Sequence, residues 1–130
     1  MILTGRTIFP GQVSAEALVS QMGISFYGGV DPETSKITEA GHDLEGQSIA
    51  GKILVFPSGK GSTVGSYILY RLKHNQLAPA AIINAECETI TAVGCIIAEI
   101  PCIDQVEISK LGTGMHLGVD AGRGWVEVDP

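Results

Sequence analysis

A stretch in the middle of the chain, from Leu54 to Tyr67, reads LVFPSGKGSTVGSY. The apolar run from Ile53 to Phe56 predicts a buried strand, and Pro57 and Gly59 then favour a turn. A helix is predicted to start near Ser62, because serine is a good N-cap residue. Apolar residues then recur every four positions, at Val64, Ile68 and Leu72. The stretch therefore predicts a strand, a turn and a helix, the unit from which parallel α/β sheets are built.

The turn between this strand and this helix suits the binding of an anion. Gly59 and Gly61 allow close approach of a bound group or a positive φ. A helix N-terminus offers free N–H groups and the positive end of the macrodipole, and both favour a carboxylate or a phosphate. Lys60 adds a mobile positive charge, and the Ser62 hydroxyl would feel a field that favours its ionised form. Walker A, dinucleotide-binding and nucleophile-elbow motifs do not fit the spacing, so an ordinary capped connection stays open as an alternative.

Length and composition limit the classes of protein to which the chain can belong. At 130 residues it is predicted to form one domain, residues 1–130. A net charge of −6 and the absence of a basic patch argue against nucleic acid as a partner. No segment approaches the ~20 apolar residues of a membrane span, and the N-terminus does not resemble a signal peptide. We therefore expect a cytoplasmic protein with no membrane partner.

The N-terminal third is predicted to be mostly antiparallel and irregular. Residues 1–9 are expected to form a first strand that ends at Pro10-Gly11, and residues 12–19 to pair with it. Residues 22–30 are irregular, and their glycines beside aromatic residues suit a surface that another chain or a substrate approaches. Residues 31–51 predict a long loop with a short strand near residues 36–38, and long loops are often functional.

The remainder of the chain predicts a parallel centre and an antiparallel end. A strand over residues 80–84, a helix over residues 89–99 and a strand starting at Cys102 follow the central unit, which makes two right-handed βαβ units. The apolar face of the second helix is predicted from its spacing to consist of Ile90, Val93, Ile97 and Ile100. Residues 115–119 and 124–128 predict a hairpin. The predicted fold class is α/β, with central parallel βαβ units and antiparallel strands at both ends.

Residue types that could bind metal are scattered along the chain. Cys87, Cys95 and Cys102 have irregular spacing and no Cys-x-x-Cys pair, so buried core thiols are the better interpretation. The three histidines stand alone without metal-ligand spacing and are interpreted as surface or loop residues: His42, His74 and His116. Three acidic residues of the long loop could bind a cation, although a solvated loop is the better interpretation: Asp31, Asp43 and Glu45. Glu86 and Glu88 follow a predicted strand at the edge where α/β ligands gather.

Several segments together carry a resemblance to a known family. They read SFYGGVDPET (25–34), GQSIAGK (46–52), PSGKGS (57–62), GSY (65–67) and APAAIIN (78–84). In this order they resemble the small subunits of the aconitase X family, in particular those of its archaeal two-subunit form. The resemblance covers nearly the whole chain. It implies a swivelling β/β/α domain that is similar to the mobile last domain of aconitases.

The resemblance also implies a reaction and a partner. The reaction is removal of water from (R)-5-phosphomevalonate to give trans-anhydromevalonate 5-phosphate, in a mevalonate pathway to isoprenoids. A separate, larger subunit is implied to carry a four-iron four-sulfur cluster and most of the substrate pocket, so that this chain is inactive alone. Contact with that subunit is expected through residues 27–29 and the surface around Ser62.

The family's motif serine falls on Ser62, which the resemblance implies to be the proton acceptor. Lys60, Gly61 and Thr63 are expected to bind the substrate. Lys60 stands where the motif often carries arginine, which keeps the positive charge but loses the bidentate fork. Two alternatives stay open: the small subunit of another aconitase X-type enzyme, such as a hydroxyproline dehydratase, or a non-catalytic anion-binding interaction domain.

Overall fold

The computed structural model describes residues 1–128, so residues 129 and 130 of the predicted domain lie outside the described residues. The helices are α1 (Phe26–Gly29), α2 (Gly65–His74) and α3 (Thr89–Ala98), and a single 3-10 turn covers Ile108–Lys110. The strands are β1 (Ile2–Thr4), β2 (Arg6–Phe9), β3 (Gln12–Val19), β4 (Ile53–Phe56), β5 (Ala81–Asn84), β6 (Cys102–Asp104), β7 (His116–Asp120) and β8 (Trp125–Val128). None of the helices in residues 1–128 is long and apolar enough to cross a membrane.

The parallel centre of the sheet is confirmed. β4 pairs with β5 in parallel, with Ile53 opposite Ala81, and β5 pairs with β6 in parallel, with Ile82 opposite Cys102. α2 and α3 make the connections and pack against each other. The short apolar runs of β4 and β5 are buried on both faces, as expected of strands in a parallel sheet.

The predicted first strand is wrong as a single element, because the chain divides at Gly5. The order of strands in the sheet is β1-β8-β7-β3-β4-β5-β6-β2, so β1 and β2 lie at opposite ends although only Gly5 separates them. A Cβ atom on Gly5 would collide with the carbonyl oxygen of Asp104, and the Gly5 N–H donates to the carbonyl of Gly124 at 2.8 Å. The sheet therefore curls until its two ends meet at this glycine.

An ion pair holds the closing strand in place. Arg6 on β2 donates from Nε and Nη2 to the two carboxylate oxygens of Asp104 on β6, at 2.9 and 2.8 Å. Asp104 is fully buried, and its Oδ2 also accepts the backbone N–H of Cys87 at 2.9 Å. The hydrogen bond with Asp104 and its charge raise the pKa of Arg6. Because Arg6 neutralises the buried charge of Asp104 through two hydrogen bonds, the pair fixes β2 against β6.

The expected pairing of residues 12–19 with the first strand is also wrong. β3 lies between the two halves of the sheet, antiparallel to β7 on one side and parallel to β4 on the other. The hairpin prediction is confirmed, since β7 and β8 pair antiparallel with Gly118 opposite Glu127. Antiparallel strands therefore flank the parallel centre at both ends, and the mixed α/β class is confirmed.

Two hydrophobic cores lie on opposite faces of the central strands. Leu54 and Phe56 of β4 belong to the core beneath the helices, whereas Ile53 and Val55 belong to the core enclosed by the curled antiparallel strands. This alternation follows from the two-residue period of a strand. The result is a β/β/α arrangement in which β4 contributes to both layers.

The predicted apolar face of α3 is wrong in part, although Ile100 is fully buried as expected. Val93 and Ile97 lie on the solvent side, and the residues that pack inward are Thr91, Gly94, Cys95 and Ala98. Small residues occupy the inner face because α2 crosses close by: a Cβ on Gly94 would stand 2.5 Å from Leu69 Cδ1 and 3.2 Å from Ser66 Cα. Hydrophobic spacing misidentified the face because this helix is apolar on both sides.

Candidate functional site

The turn after β4 lies beside the irregular segment of residues 22–30. The N–H of Lys60 donates to the carbonyl of Ile24 at 3.0 Å, and the N–H of Ile24 donates to the carbonyl of Ser58 at 3.3 Å. These two bonds form a short parallel bridge between Ile24 and Gly59. Phe26 packs edge-on against Phe56 at the end of β4, with ring centroids 5.9 Å apart. The segment of residues 22–30 therefore forms one wall of the turn.

The predicted helix start at Ser62 is wrong. α2 begins at Gly65, and Ser62 lies in the turn that precedes it. The Ser62 carbonyl accepts the N–H of Gly65 at 2.9 Å, and its hydroxyl oxygen accepts the N–H of Val64 at 3.2 Å. Ser62 is exposed, as is Val64, which therefore does not join the buried face of Ile68 and Leu72. The serine acts through a local turn rather than as a helix cap.

Three consecutive backbone N–H groups face outward from this turn. In residues 1–128 no protein acceptor pairs with the N–H groups of Gly61, Ser62 and Thr63. Gly61 is in the left-handed region with a φ of 96°, and a turn of this kind can direct successive N–H groups into a shallow concavity. Such a concavity can hold a carboxylate or phosphate oxygen. The structure thus brings together the predicted site residues Lys60, Gly61, Ser62 and Thr63.

Close packing makes two glycines necessary in this turn. A Cβ atom on Gly59 would collide with the carboxylate of Glu88 and the hydroxyl of Thr91 at the start of α3. A Cβ atom on Gly61 would collide with the Ser25 hydroxyl oxygen. The turn is therefore held between the start of α3 on one side and residue 25 on the other.

Lys60 is paired rather than mobile. Its Nζ lies 3.0 Å from Oε2 of Glu39, and its stem passes over Gly23. Glu39 belongs to the long loop over residues 31–51. This loop was predicted to be functional, but no feature of the sequence pointed to Glu39 itself. The two residues are far apart in sequence, so no spacing rule could have revealed the pair.

Glu88 has a structural role, whereas its position with Glu86 at the end of a strand had suggested a role in ligand binding. Its carboxylate caps α3 by accepting the N–H groups of Ile90 and Thr91 at 2.7 and 2.6 Å, together with the Thr91 hydroxyl. Glu86 is exposed and stands apart from this cap. A carboxylate at the N-cap is favoured by the helix dipole. Its place immediately before the helical spacing was the sequence signal for this role.

His42 lies in the long loop, as predicted, but its side chain is buried rather than at the surface. Its Nε2 donates to the carbonyl of Gly23 at 3.0 Å and its Nδ1 accepts the N–H of Leu44 at 3.1 Å. These two contacts use both ring nitrogens. His42 therefore ties the long loop to the residue that precedes Ile24, and so supports one wall of the turn.

The acidic residues of the long loop do not converge. Asp31 accepts the N–H of Glu33 at 2.9 Å, which lowers the pKa of Asp31. Asp43 accepts from the hydroxyl of Ser20 at 2.7 Å, and Glu45 accepts the N–H of Gly41 at 3.0 Å. Each carboxylate serves a local turn or contact, and these residues give no common cation site.

The cysteines lie in the core. Cys95 and Cys102 are buried and Cys87 is half-buried. The hydrogen bond with Cys102 and burial raise the pKa of the Cys87 thiol well above its usual value, so this thiol stays neutral. No group of three His, Cys, Asp or Glu side chains within residues 1–128 is placed to hold a metal ion. The donor set found here does not fit an iron–sulfur cluster.

Comparison with known proteins gives consistent results. The family described as the aconitase X swivel domain matches residues 2–128. A protein of Thermococcus kodakarensis named phosphomevalonate dehydratase small subunit is 59% identical, covering 98% of this chain and 96% of its own length. A protein of the same name from Methanosarcina acetivorans is 52% identical, over 97% of this chain and 90% of its own.

A solved structure agrees with these sequence matches. The crystal structure of Thermococcus kodakaraensis aconitase X in its holo-form superposes with a TM-score of 0.97 at 58% identity, covering 98% of both chains. The solution NMR structure of a UPF0107 protein superposes with a TM-score of 0.90 at 46% identity. The resemblance inferred from the five sequence segments is confirmed: this chain belongs to the aconitase X family and has the fold of its swivel domain.

Proposed function

We propose that this chain is the small subunit of a heteromeric hydro-lyase that converts (R)-5-phosphomevalonate to trans-anhydromevalonate 5-phosphate. The supporting observation is its 59% identity, over nearly the full length of both proteins, to a protein named phosphomevalonate dehydratase small subunit. The turn over residues 57–64 gives the proposal a physical basis, since it combines an exposed hydroxyl, free N–H groups and a cation.

Ser62 is the proposed general base. Dehydration breaks a C–H bond and a C–O bond on neighbouring carbons, and the C–H electron pair forms the new double bond. The proton would pass to the Ser62 Oγ in its alkoxide form, and the hydroxyl group would leave toward the partner subunit, where the cluster that the family implies would supply a Lewis acid. An unassisted serine is a poor base because its alkoxide is unstable near neutral pH. The Val64 N–H already donates to this oxygen at 3.2 Å, and the ammonium of Lys60 and the dipole of α2 add positive potential.

The other predicted residues are proposed to bind the anionic ends of the substrate. The free N–H groups of Gly61 and Thr63 would donate to a carboxylate or phosphate oxygen, and Lys60 would neutralise its charge. The Lys60–Glu39 pair would then have to loosen or share its lysine with the substrate. Because both side chains are partly exposed, this exchange costs little in water.

A larger partner subunit completes the proposed site. Ser62 and Thr63 are exposed, whereas stabilising an alkoxide requires exclusion of water. We assign the four-iron four-sulfur cluster that the family implies to the partner, because the described residues of this chain do not fit one. Residues 1–130 are proposed to act as one swivelling domain that closes over the partner, and a cytoplasmic location is part of the same proposal.

A reconstitution experiment tests the proposed function. The purified chain is mixed anaerobically with the aconitase X large subunit of the same organism, and consumption of (R)-5-phosphomevalonate is followed by mass spectrometry. We expect turnover from the mixture and none from either subunit alone. Hydroxyproline serves as the control substrate. Turnover by this chain alone, or a complex that dehydrates hydroxyproline and not phosphomevalonate, would contradict the proposal.

A further inference from the structure

The outer face of α3 is unusual for a helix at a protein surface. The helix reads TITAVGCIIA and contains no charged residue. Val93, Ile96 and Ile97 are nevertheless 42%, 49% and 48% exposed. Surface helices normally turn polar residues outward, and a helix that is apolar all round is normally covered. Something outside residues 1–128 is therefore expected to cover this face.

α2 extends the same apolar surface. Val64, Tyr67 and Tyr70 are exposed, and the rings of the two tyrosines lie 6.3 Å apart. The close crossing of the helices at Gly94 brings their outer surfaces side by side. We call this surface the helical face, and it consists of Val64, Tyr67, Tyr70, Val93, Ile96 and Ile97.

We infer that the helical face is a docking surface for the large subunit, which rests on the function proposed above. Both helices begin at the candidate site: α2 starts shortly after Ser62, and the Glu88 cap of α3 packs against Gly59. A partner that covers Ser62 therefore reaches Val64 and Tyr67 first and continues along the same surface. Because the helical face continues directly from the proposed site, we identify the large subunit as the protein that covers this face.

The helical face has the chemistry of a stable interface. Such interfaces bury roughly 800 Å² on each partner, far more than the few residues of the turn can supply. The two exposed tyrosines belong to a residue type that is enriched among energetically dominant contacts. Arg71 at the end of α2 pairs with Glu33, and Lys73 donates to the carbonyl of Glu99, so both cations already have partners within the chain. The matching surface of the large subunit is therefore expected to be apolar.

A binding experiment tests this docking surface. Val93→Lys and Ile97→Lys place a charge in the middle of the helical face, at positions that are remote from Ser62 in the sequence. The control is Ile2→Lys, which makes the same change at a similarly exposed residue on β1, in the antiparallel half of the sheet. Affinity for the large subunit is measured by calorimetry, and the melting temperature of each isolated variant verifies its fold.

We expect each helical-face variant to bind at least tenfold more weakly, about 1.4 kcal/mol, and Ile2→Lys to stay within twofold of the parent chain. Normal binding by both Val93→Lys and Ile97→Lys would overturn the inference. A parent chain that is dimeric alone and becomes monomeric with Val93→Lys would overturn it too, since a second copy would then be the occupant. A parent chain that does not bind the large subunit refutes both proposals. Weakened binding in a complex that acts on another substrate refutes only the proposed reaction.

Discussion

At the scale of single residues, Ser62 combines accessibility with local polarisation. Its hydroxyl is exposed and accepts a backbone N–H from Val64, and the free N–H groups of the same turn lie next to it. Ser58 and Ser66 are nearby hydroxyls in different settings, and Ser66 already donates to the carbonyl of Thr63 at 3.0 Å. The exposed hydroxyl of Ser62, polarised by a backbone N–H, therefore distinguishes this serine from Ser58 and Ser66.

Ser62→Ala should abolish most turnover in the reconstituted complex while leaving the fold intact. The substitution removes the proposed proton acceptor, whereas losing one exposed N–H···O contact costs only about 1 kcal/mol of stability. We expect the turnover rate to fall by at least a hundredfold, with unchanged binding of the large subunit. The matched controls are Ser58→Ala and Ser66→Ala. Near-normal turnover by Ser62→Ala, with an inactive Ser58→Ala or Ser66→Ala, would reassign the base.

Substitutions at Lys60 should reduce turnover less than Ser62→Ala does. They should also separate the effect of the positive charge from that of the shape of the side chain. Lys60→Ala removes the cation beside the turn, so we expect a higher KM and a lower turnover rate, about tenfold each. Lys60→Arg keeps the charge and should retain much of the activity, since arginine can also pair with Glu39. Steady-state kinetics of the complex tests both variants. A Lys60→Arg complex as impaired as Lys60→Ala would show that positive charge alone is not what the site requires.

At the scale of elements, the buried parallel strands and the hairpin were easier to predict than helix faces and ends. β4, β5 and the β7–β8 hairpin followed from apolar runs and turn residues, because buried strands need continuous hydrophobicity and hairpins need specific turns. The start of α2 was misplaced because the Gly61 backbone turns through a left-handed conformation that delays the helix. The inner face of α3 was misidentified because close approach at Gly94 selects small residues there.

Gly94→Ala should destabilise the isolated chain. The new Cβ would meet the backbone of Ser66 as well as the side chain of Leu69, and a backbone contact cannot be relieved by a rotamer change. Overpacking of this kind costs about 1–3 kcal/mol, which exceeds the ~1 kcal/mol that alanine gains in helix propensity. Urea unfolding measures the difference.

The control for Gly94→Ala is Val93→Ala on the outer side of the same helix. Val93 is exposed, so its truncation should change the free energy of unfolding by less than about 0.5 kcal/mol. Equal stability of Gly94→Ala and the parent chain would show that α2 and α3 can separate without penalty.

At the scale of the whole molecule, the sequence could predict the α/β class but not the closure of the sheet. Pairing of β1 with β8 and of β2 with β6 depends on contacts between residues that are far apart in the sequence. Local sequence patterns do not predict such contacts. The Lys60–Glu39 and Arg6–Asp104 pairs were missed for the same reason. The proximity of Lys60 to Thr63 could be predicted because these residues are adjacent in the sequence, whereas their roles in the site stay a prediction.

The location of the cluster gives a test that involves both subunits. Cys95 and Cys102 are buried in the core beneath the helices, and the pKa of the half-buried Cys87 thiol is raised by Cys102 and by burial. Thiolates are the form that binds iron, so neutral, buried thiols are poor ligands. Cys87→Ser, Cys95→Ala and Cys102→Ala should therefore leave the iron content of the reconstituted complex unchanged.

Two measurements make this last prediction decisive. Iron per complex is determined by a colorimetric assay, and the circular dichroism of each isolated variant shows whether it is folded. Cys95→Ala and Cys102→Ala remove buried atoms and should lower the melting temperature, because each leaves a small cavity in the core. That loss of stability without loss of iron is what a structural thiol produces. Stoichiometric loss of iron from a complex whose Cys95→Ala subunit is still folded would instead make this chain a ligand of the cluster.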